Sequence, residues 1–466
     1  MTDALKGDMS SCNVCAFIVP ADLCIGCGLC AGVCPPQVLD MRFNQYGEYI
    51  PVEYRQGCLP KCDLCLRTCP FWDQDDNEDS LASQAFSAVP HIQKTPETGY
   101  YLATFAGYTL RDGQRLNAAS GGLATWFLQA VLEKGIVDRV ACVTPNADPE
   151  KLFRFTVLSD PNAVSQSAKS CYYPVELSDV IKEITHTEAR YAVIGLPCYL
   201  KGIRLAMRKN RQLRRKIKVL AGLVCGQTKS KFFAEYLCAL GGGTPALMTR
   251  ATFRIKDPTR PANDYGFRFE CGGDAVENGT VFWLEGMDKA WTRGYFKPNP
   301  CNYCDDVFAD VADVVFMDAW LERYIREPQG TNLLLIRDPD MLRIFEQGQS
   351  DGSIHLEQVS IGEVIASQQG VIDAKRSGLA ERLGMAEMLH LKSIPRKRVV
   401  PARISHYRLC QLWPQRLLTL QSKRVFLRQR KHGGLAGFER RMFPILLALS
   451  VLNSVQARLS RIGLRL

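Results

Sequence analysis

The sequence contains no apolar stretch of membrane-spanning length. Its longest apolar run, Met442 to Leu452, is broken by Pro444 and Ser450 and is too short to cross a bilayer. The N-terminal residues lack the basic-then-apolar pattern of a secretory signal. We therefore expect a cytoplasmic protein, in a compartment where cysteine thiolates stay reduced.

Two features that would locate an active site are also missing. No Gly-x-Gly-x-x-Gly follows a strand pattern, so a standard dinucleotide-binding Rossmann half is not supported. The chain has only 6 histidines, and the one nearest to its central region, His186, stands in a charged stretch typical of a solvated side chain. No catalytic residue can be assigned.

Acidic residues are nearly absent from residues 395–466. This segment holds sixteen Lys or Arg and one acidic residue, Glu439, so its charge is +15. Because the whole chain carries +10, the remainder carries −5. The positive charge belongs to one segment, and it does not indicate a protein that binds nucleic acid over its whole surface.

Cysteine, in contrast, is abundant. Eight of the 19 cysteines lie in two runs, spaced Cys-x2-Cys-x2-Cys-x3-Cys-Pro and Cys-x3-Cys-x2-Cys-x3-Cys-Pro. In two-cluster ferredoxins, three closely spaced thiolates bind one 4Fe–4S cluster and the fourth binds the other. The runs predict one cluster on Cys24, Cys27, Cys30 and Cys69, and a second on Cys34, Cys58, Cys62 and Cys65. The extra residue after Cys58 departs from the regular spacing.

Structural zinc and disulfides are the alternatives for these cysteines. Zinc sites prefer two separated Cys-x2-Cys pairs around one ion, whereas each run here has four Cys. An odd number of Cys without a secretory signal does not favour a disulfide scaffold. Cys12 and Cys15 form one more Cys-x2-Cys, to which we assign no cluster.

Strand and helix patterns alternate after the second run. Strands are predicted over Tyr101–Tyr108, Val137–Val143, Tyr191–Gly195, Lys216–Val224, Val311–Met317 and Asn332–Ile336, with further strands between Ala251 and Trp283. Helices are predicted over Leu123–Lys134, Tyr199–Asn210 and Lys231–Leu240, with Gly135 as a C′ residue and Lys201 on a solvated helix face. The alternation predicts an α/β fold whose parallel or mixed sheet is covered by helices.

These patterns divide the chain into five parts. We expect a ferredoxin-type domain at residues 15–72, a charged, turn-rich linker at 73–98, and an α/β core in two parts, 99–180 and 181–345. A basic, mostly helical tail covers 395–466.

A further set of cysteines stands at predicted turns of the core. Cys198 follows Pro197 at a strand-to-helix turn, Cys225 ends the next strand, and Cys301 and Cys304 form a Cys-x2-Cys. Ligands of open α/β sheets collect at the carboxyl ends of strands. Four such thiolates suit another 4Fe–4S cluster, but isolated Cys residues are often buried apolar side chains, so both interpretations stay open.

The core segments carry a resemblance to a known family. They are Ala119–Leu123, Gly195–Cys198, Leu223–Gly226, Cys301–Asp305 and Ala312–Trp320. In content and order they resemble the coenzyme F420 hydrogenase/dehydrogenase β-subunit family of flavin-dependent iron–sulfur oxidoreductases. The resemblance extends from about Tyr100 to Arg337 and to the N-terminal ferredoxin segment that some members carry.

The resemblance implies a third 4Fe–4S cluster on Cys198, Cys225, Cys301 and Cys304, and FAD near Asn117, Ser120, Gly121 and Gly122. A helix cap by Ser120, close backbone approach at the glycines and a helix N-terminus would suit a pyrophosphate. A plain capped helix start is the alternative. Where the family would show Cys-His-Gly, the chain has Cys225-Gly226-Gln227, so no role for a histidine can be transferred.

The function implied is an iron–sulfur flavoprotein oxidoreductase that passes electrons between a low-potential donor, such as ferredoxin or a partner redox subunit, and FAD. Its substrate would be a deazaflavin like coenzyme F420 or another organic molecule, with surface-polysaccharide metabolism among the settings of the family. The alternatives are an electron-transfer subunit without a substrate of its own and a non-catalytic protein with structural clusters. No nucleic-acid partner is expected.

The tail mixes basic residues with Leu, Phe and Trp. This composition suits an interfacial helix on the inner face of an anionic membrane, interrupted at Pro414. The alternative is a helical extension packed on the body or on a partner subunit.

Overall fold

The N-terminal segment is built from short helices and one hairpin. The computed structural model describes residues 13–72, 76–272, 277–391, 398–430 and 435–461, so Cys12 lies outside the described residues. The elements of the first range are α1 (Val14–Phe17), α2 (Leu29–Gly32), β1 (Leu39–Phe43), β2 (Tyr49–Glu53) and α3 (Leu64–Arg67). Strands β1 and β2 pair antiparallel, and each cysteine run folds around one short helix.

Most of the stretch interpreted as a linker has regular structure. It contains α4 (Glu78–Phe86) and a hairpin of β3 (Gln93–Thr95) and β4 (Gly99–Tyr101), whereas residues 73–75 lie outside the described residues. Asn77 and Ser80 form a capping box at the start of α4, and Leu81 and Phe86 are buried. Turn-forming and acidic residues thus begin a helix instead of marking a solvated linker.

An eight-stranded mixed sheet forms the centre of the core. Its strands are β5 (Ala103–Thr109), β6 (Arg139–Pro145), β7 (Phe153–Leu158), β8 (Tyr191–Gly195), β9 (Ile217–Leu223), β13 (Val314–Asp318), β14 (Asn332–Ile336) and β15 (Ile354–Gln358). The order is β15-β5-β14-β13-β9-β8-β6-β7. The four strands β13, β9, β8 and β6 are parallel, and antiparallel strands flank them on both sides.

Helices surround the core, and some of them cover both faces of this sheet. They are α5 (Gln114–Asn117), α6 (Leu123–Glu133), α7 (Ser178–His186), α8 (Pro197–Lys209), α9 (Arg211–Lys216), α10 (Phe232–Leu240), α11 (Met287–Thr292), α12 (Glu322–Ile325), α13 (Pro339–Ser350), α14 (Ile361–Ser367), α15 (Gln369–Lys375) and α16 (Ser377–Met388). Trp126, Phe127 and Phe345 pack on one face, and Leu200 and Ile203 on the other. Because both faces are covered, the parallel strands are continuously apolar.

The strand and helix patterns of the sequence agree with these elements. The predicted strands Tyr191–Gly195 and Asn332–Ile336 coincide with β8 and β14, and Gly135 follows α6 with φ of 63°. The prediction for Lys201 is wrong: this residue of α8 is buried, with Nζ 3.0 Å from the Glu78 carboxylate of α4.

A three-stranded antiparallel sheet stands beside the core. It consists of β10 (Met248–Ile255), β11 (Gly266–Cys271) and β12 (Glu277–Phe282), as the strand-rich stretch of the sequence predicts.

The C-terminal tail is a helical hairpin of α17 (His406–Gln429) and α18 (Leu435–Arg461). Helix α17 continues through Pro414, so the predicted interruption does not occur. Phe426 of α17 and Phe438 of α18 pack against Phe296 of the core. Among the described residues, we find no helix with the length and apolarity needed to cross a membrane.

Candidate functional site

Four cysteines from the two runs form a first thiol group. Burial and neighbouring thiols raise the pKa of Cys30 well above its usual value, and those neighbours are Cys27, Cys24 and Cys69, followed by Cys65. The pKa of Cys27 rises to about 12 through burial and then through Cys69. The structure therefore brings together the four residues predicted for one cluster, including the fourth from the distant run.

The other four cysteines form a second thiol group. Burial raises the pKa of Cys65 to about 12, and the thiols of Cys62, Cys34 and Cys58 add to the shift. The pKa of Cys58 is likewise raised, first by burial and then, in decreasing order, by Cys62, Glu53 and Cys34. The crossed pairing of the runs is thus present in the fold, and the extra residue between Cys58 and Cys62 does not prevent it.

The N-terminal segment packs closely on the core. The Leu177 backbone N–H donates to the Cys27 carbonyl over 2.9 Å. Helix α2 approaches helix α8 at Gly202, where a Cβ would lie 2.2 Å from the Leu29 side chain. This contact places the first thiol group directly beside the turn that carries Cys198.

A third thiol group lies at the carboxyl ends of the parallel strands. Cys198 is the second residue of α8, Cys225 follows β9, and Cys301 and Cys304 belong to or follow the turn Asn299–Tyr303. The pKa of Cys198 is raised well above its usual value by burial and by Cys304, Cys225 and Cys301, with a smaller effect of Cys27. The four residues assigned by resemblance are therefore neighbours.

The buried thiols of each group disfavour one another's ionised forms. Bound metal reverses this effect, because a cluster takes thiolates and supplies the positive charge that stabilises them. Among the described residues, no three His, Cys, Asp or Glu side chains converge on a point where one metal ion would sit. A cubane cluster has four irons that each take one thiolate, so its ligands surround a volume instead of one point.

Basic side chains surround the third thiol group. Lys375 is buried at the end of α15, and its Nζ donates to Cys304 Sγ over 3.3 Å and to the Asp306 carbonyl over 2.7 Å. Burial opposes its charge, but the thiols of Cys304 and Cys225, the Asp306 carboxylate and the Cys301 thiol together outweigh burial and raise the pKa of Lys375 above its usual value. Lys297, in the loop before Cys301, has its pKa lowered to about 8 by burial and then by nearby Arg382.

A cavity of about 480 Å³ opens next to the third thiol group. It is lined by Val143, Gly195, Leu223 and Met317 from the carboxyl ends of four parallel strands, and by Cys225 itself. The volume falls within the range of about 300–1,000 Å³ typical of ligand pockets. A ligand in this cavity would contact a residue of the third thiol group.

One end of the cavity is positively charged. Arg254 is 2 % exposed, and its guanidinium lies 3.8 Å from the centre of the Tyr265 ring. Its Nη2 donates to the Ala119 carbonyl over 3.0 Å and to the Asp318 carboxylate over 2.5 Å. Its Nη1 is buried and has no hydrogen-bond partner within the described parts of the chain. Lys169 also lines the cavity, and its pKa is lowered to about 8 by burial, then by Arg254 and Arg268. The lining of this end therefore has one carboxylate, that of Asp318, for the two cations Arg254 and Lys169.

An aromatic wall extends from this charged end. Tyr172 lies 4.9 Å from Trp291, Trp291 lies 6.0 Å from Trp283, and Trp283 lies 5.2 Å from Tyr265, measured between ring centroids. All four line the cavity. Such a surface suits a planar aromatic ligand, while the charged end suits an anionic group.

Only some of the residues predicted to bind FAD line the cavity. Ser120 and Gly122 line the cavity, but Asn117 and Gly121 are not among its lining residues. The predicted cap by Ser120 is wrong, because its Oγ donates to the Thr331 carbonyl over 2.7 Å. Asn332 Oδ1 accepts the Leu123 N–H instead, so the first residue of β14 caps the start of α6.

The sequence did not indicate the cationic and aromatic residues of the cavity. Arg254, Lys169 and Trp291 come from segments far apart in the chain, and no local spacing connects them. Gln227, one residue after Gly226 at the position of the expected histidine, lines the cavity and donates to the Trp291 carbonyl over 2.9 Å. His186 is exposed, as expected.

Of the remaining cysteines, Cys142 and Cys171 line the cavity. Cys238 and Cys271 lie with their sulfurs 3.6 Å apart in the buried core. Cys410 is exposed.

Three sequence profiles match the chain. Two describe the family "Coenzyme F420 hydrogenase/dehydrogenase, beta subunit": its N-terminal profile matches residues 104–182, and its C-terminal profile matches residues 188–361. A "4Fe-4S binding domain" profile matches residues 17–40, which include the first cysteine run. Together the two β-subunit profiles cover more than half of the chain.

One curated relative is the coenzyme F420-dependent sulfite reductase of Methanocaldococcus jannaschii, 28% identical over 188 residues. The match covers 40% of this chain and 26% of the relative, so the chain spans about a quarter of that protein. Among solved structures, a chain of the F420-reducing [NiFe] hydrogenase complex from Methanosarcina barkeri matches with a TM-score of 0.50 and 16% identity, over 65% of this chain and 99% of that chain. At this identity the likeness concerns the fold.

Proposed function

Because this chain belongs to the coenzyme F420 hydrogenase/dehydrogenase β-subunit family, we propose that it is an iron–sulfur flavoprotein oxidoreductase. It passes electrons between a low-potential donor and FAD bound in the cavity. The observation that carries this proposal is the position of Cys225, which belongs to the third thiol group and also lines the cavity.

The three thiol groups fit three 4Fe–4S clusters in a row. Cys30 of the first group is affected by Cys65 of the second, and Cys198 of the third is affected by Cys27 of the first. The first group therefore lies between the other two. The third group is next to the cavity, and the second is next to exposed Leu59 and Lys61, where a ferredoxin or another donor protein would approach.

The cavity fits FAD through its charged end and its aromatic wall. The unpartnered Arg254 Nη1 and the Lys169 ammonium would hold the pyrophosphate, close to the start of α6. The aromatic side chains from Tyr172 to Tyr265 would bound the ring system. A buried donor without an acceptor is costly, and a phosphate that accepts from Arg254 Nη1 would relieve that cost.

When bound, the clusters supply one-electron transfer and the flavin converts between one- and two-electron chemistry. The chain itself positions and shields these groups. Gln227, whose side-chain amide donates to the Trp291 carbonyl, presents its side chain to the cavity. Trp283 and Trp320 cover the cavity with apolar surface that excludes water.

The substrate we propose is a deazaflavin of the coenzyme F420 type or another small organic acceptor. The names of the sulfite reductase and hydrogenase relatives support a deazaflavin. Anaerobic spectroscopy while deazaflavin, nicotinamide and ferredoxin donors are added in turn would identify the physiological partner.

Anaerobic purification followed by metal, sulfide and flavin analysis tests the cofactor content. We expect about twelve irons, an equal amount of sulfide and one flavin per chain. Arg254→Met should weaken FAD binding about tenfold or more, since a charge-assisted hydrogen bond contributes about 1.5–3 kcal/mol. Arg250→Met is the matched control, because Arg250 lies on the same strand and is exposed. One zinc per chain without flavin would refute the proposal.

The second candidate is an electron-transfer subunit without a substrate of its own. It is favoured by the hydrogenase chain, which is similar over nearly its full length and belongs to a complex. Turnover of a deazaflavin by the isolated chain with an artificial low-potential donor distinguishes the two, since a pure transfer subunit would show none.

A further inference from the structure

We propose that Lys375 raises the reduction potential of the third cluster above those of the two N-terminal clusters, so that electrons accumulate next to the cavity. This inference rests on the proposed function, because it requires a cluster on Cys198, Cys225, Cys301 and Cys304. The structural observation is the 3.3 Å contact between Lys375 Nζ and Cys304 Sγ.

The charge of Lys375 acts mainly on the thiol group, with a smaller interaction with the Asp306 carboxylate. The residue is 3 % exposed, and its two hydrogen-bond acceptors are the Cys304 sulfur and the uncharged Asp306 carbonyl. The neighbouring carboxylates of Asp305 and Asp310 pair instead with Arg398, from the segment after α16. Lys375 has no carboxylate within ion-pair distance among the described residues.

The thiols of the first group have a different environment. Cys24 and Cys27 receive hydrogen bonds from the backbone N–H groups of Gly26 and Leu29, which are neutral donors. A cluster gains one negative charge when it accepts an electron, and a nearby cation stabilises that charge more than a neutral dipole does. Hydrogen bonds to cluster sulfur and net charge nearby are established determinants of cluster potential.

Lys375 lies outside the part of the chain that defines the family. The β-subunit profile ends at residue 361, whereas Lys375 is the last residue of α15. Helix α15 thus brings to the ligand set a cation from outside the residues that the family profile matches. Lys375 is a positioning residue, since it acts through the cluster ligand and does not reach the cavity lining.

The test is an anaerobic redox titration of the full-length holoprotein, followed by electron paramagnetic resonance. Lys375→Met removes the charge and keeps the length of the side chain. We expect one of the three cluster signals to move to lower potential. At a fixed solution potential, the ratio of reduced to oxidised cluster should fall tenfold or more, and each tenfold change corresponds to a shift of about 59 mV in the reduction potential. Lys375→Arg should restore most of the shift. Iron content should stay at the wild-type value.

Lys216→Met is the matched control. Lys216 is also buried to 3 % exposure, also ends a helix, and also donates to a backbone carbonyl, that of Thr185. Its charge is paired with Glu188, and it lies away from the thiol groups. All three potentials should be unchanged in this variant. Unchanged potentials in Lys375→Met at full iron content would overturn the inference.

A measurement that does not depend on Lys375 variants uses Cys304→Ser to identify the signal of the third cluster. In the wild type, this signal should have the highest potential of the three, and a lower position would overturn the inference. About eight irons and two signals in the wild type would instead overturn the third cluster itself. Failure of the inference and failure of the proposed function are therefore distinguishable.

Discussion

Buried cations that direct a donor to something other than a carboxylate distinguish the functional region from the structural ion pairs of this protein. Lys201 is as buried as Lys375, but its charge is balanced by Glu78. Arg254 has one carboxylate, Asp318, and a free Nη1, and Lys375 has a cysteine sulfur. An uncompensated buried charge is strongly unfavourable, so these residues indicate negatively charged groups that complete the site.

Lys169 should make anionic ligand binding depend on pH. Its pKa is lowered to about 8, mainly by burial and then by the guanidiniums of Arg254 and Arg268. Below this pH the side chain is protonated and attracts a phosphate, and the attraction is lost as the pH rises through about 8. We expect the affinity of flavin-free protein for FAD to fall about threefold to tenfold between pH 6.5 and 9.5. Fluorescence titration with FAD measures it.

Lys169→Gln provides the comparison. This variant should bind FAD more weakly at pH 6.5 and show a shallower profile over the same range. Arg254 stays charged throughout, and Lys256, whose pKa is lowered to about 7 by burial and then by Arg254, still loses its charge. The same slope in wild type and variant would contradict the assignment of the titration to Lys169.

The two thiol groups of the cysteine runs could be predicted from the sequence because the spacing within each run is local. Three residues of each run, such as Cys24, Cys27 and Cys30, fold around one short helix, and this geometry depends on few other parts of the chain. Arg254 and Lys375 could not be predicted, since their partners Ala119 and Cys304 lie far away in the sequence. The cap of α6 by Asn332 was missed for the same reason.

Among the helices and strands, the contact between α2 and α8 fixes the N-terminal segment to the core. A Cβ on Gly202 would lie 2.2 Å from Leu29, which is fully buried, and close to Thr68 and Pro70 as well. Gly202→Ala should therefore lower the free energy of unfolding by about 1–3 kcal/mol through overpacking, although alanine favours helix. Urea unfolding under anaerobic conditions measures this.

Gly370→Ala is the same substitution in another helix, α15. A Cβ on Gly370 meets no atom within 4 Å, so the change should stabilise by up to about 1 kcal/mol through helix propensity alone. Equal effects at Gly202 and Gly370 would show that close packing between α2 and α8 is not required.

Helices and strands were predictable where all residues of the element share the same degree of burial, which fixes their pattern of apolar residues. Strands β8 and β14 are buried on both faces, so their apolar runs identify them directly. Helix α4 was mistaken for part of a linker because its acidic first turn resembles a solvated stretch. Its role depends on burial of Glu78 against Lys201, which no local pattern shows.

Across the complete chain, the division of charge between body and tail stabilises their contact. Arg408 pairs with Glu381, Lys423 with Glu48 and Arg430 with Glu235. The basic tail thus packs on an acidic body, in agreement with the helical extension considered from the sequence. Removing the tail would expose aromatic core residues such as Phe296, so truncation is a poor test of any further role.

Helix α18 nevertheless keeps one face free, and we expect this face to bind an anionic membrane surface. Phe443, Leu447, Val451 and Val455 recur every four residues and are 39–58 % exposed. They fall within about a third of the helix circumference. Exposed Arg440 and Arg458 lie on the same face beyond the two ends of this stripe. An apolar stripe between basic residues is typical of interfacial helices.

Liposome flotation with Leu447→Glu/Val451→Glu tests this expectation while leaving the tail in place. The wild type should float with phosphatidylserine-containing vesicles and do so less at high salt, since each basic residue near such a surface contributes about 1 kcal/mol. The double variant should remain at the bottom of the gradient, because glutamates in the stripe oppose both apolar insertion and the anionic lipid. Leu284→Glu is the matched control. Leu284 lies outside the tail and is 66 % exposed, so this variant should float like the wild type. Equal flotation of the double variant and this control would assign the stripe to a protein partner instead of a membrane.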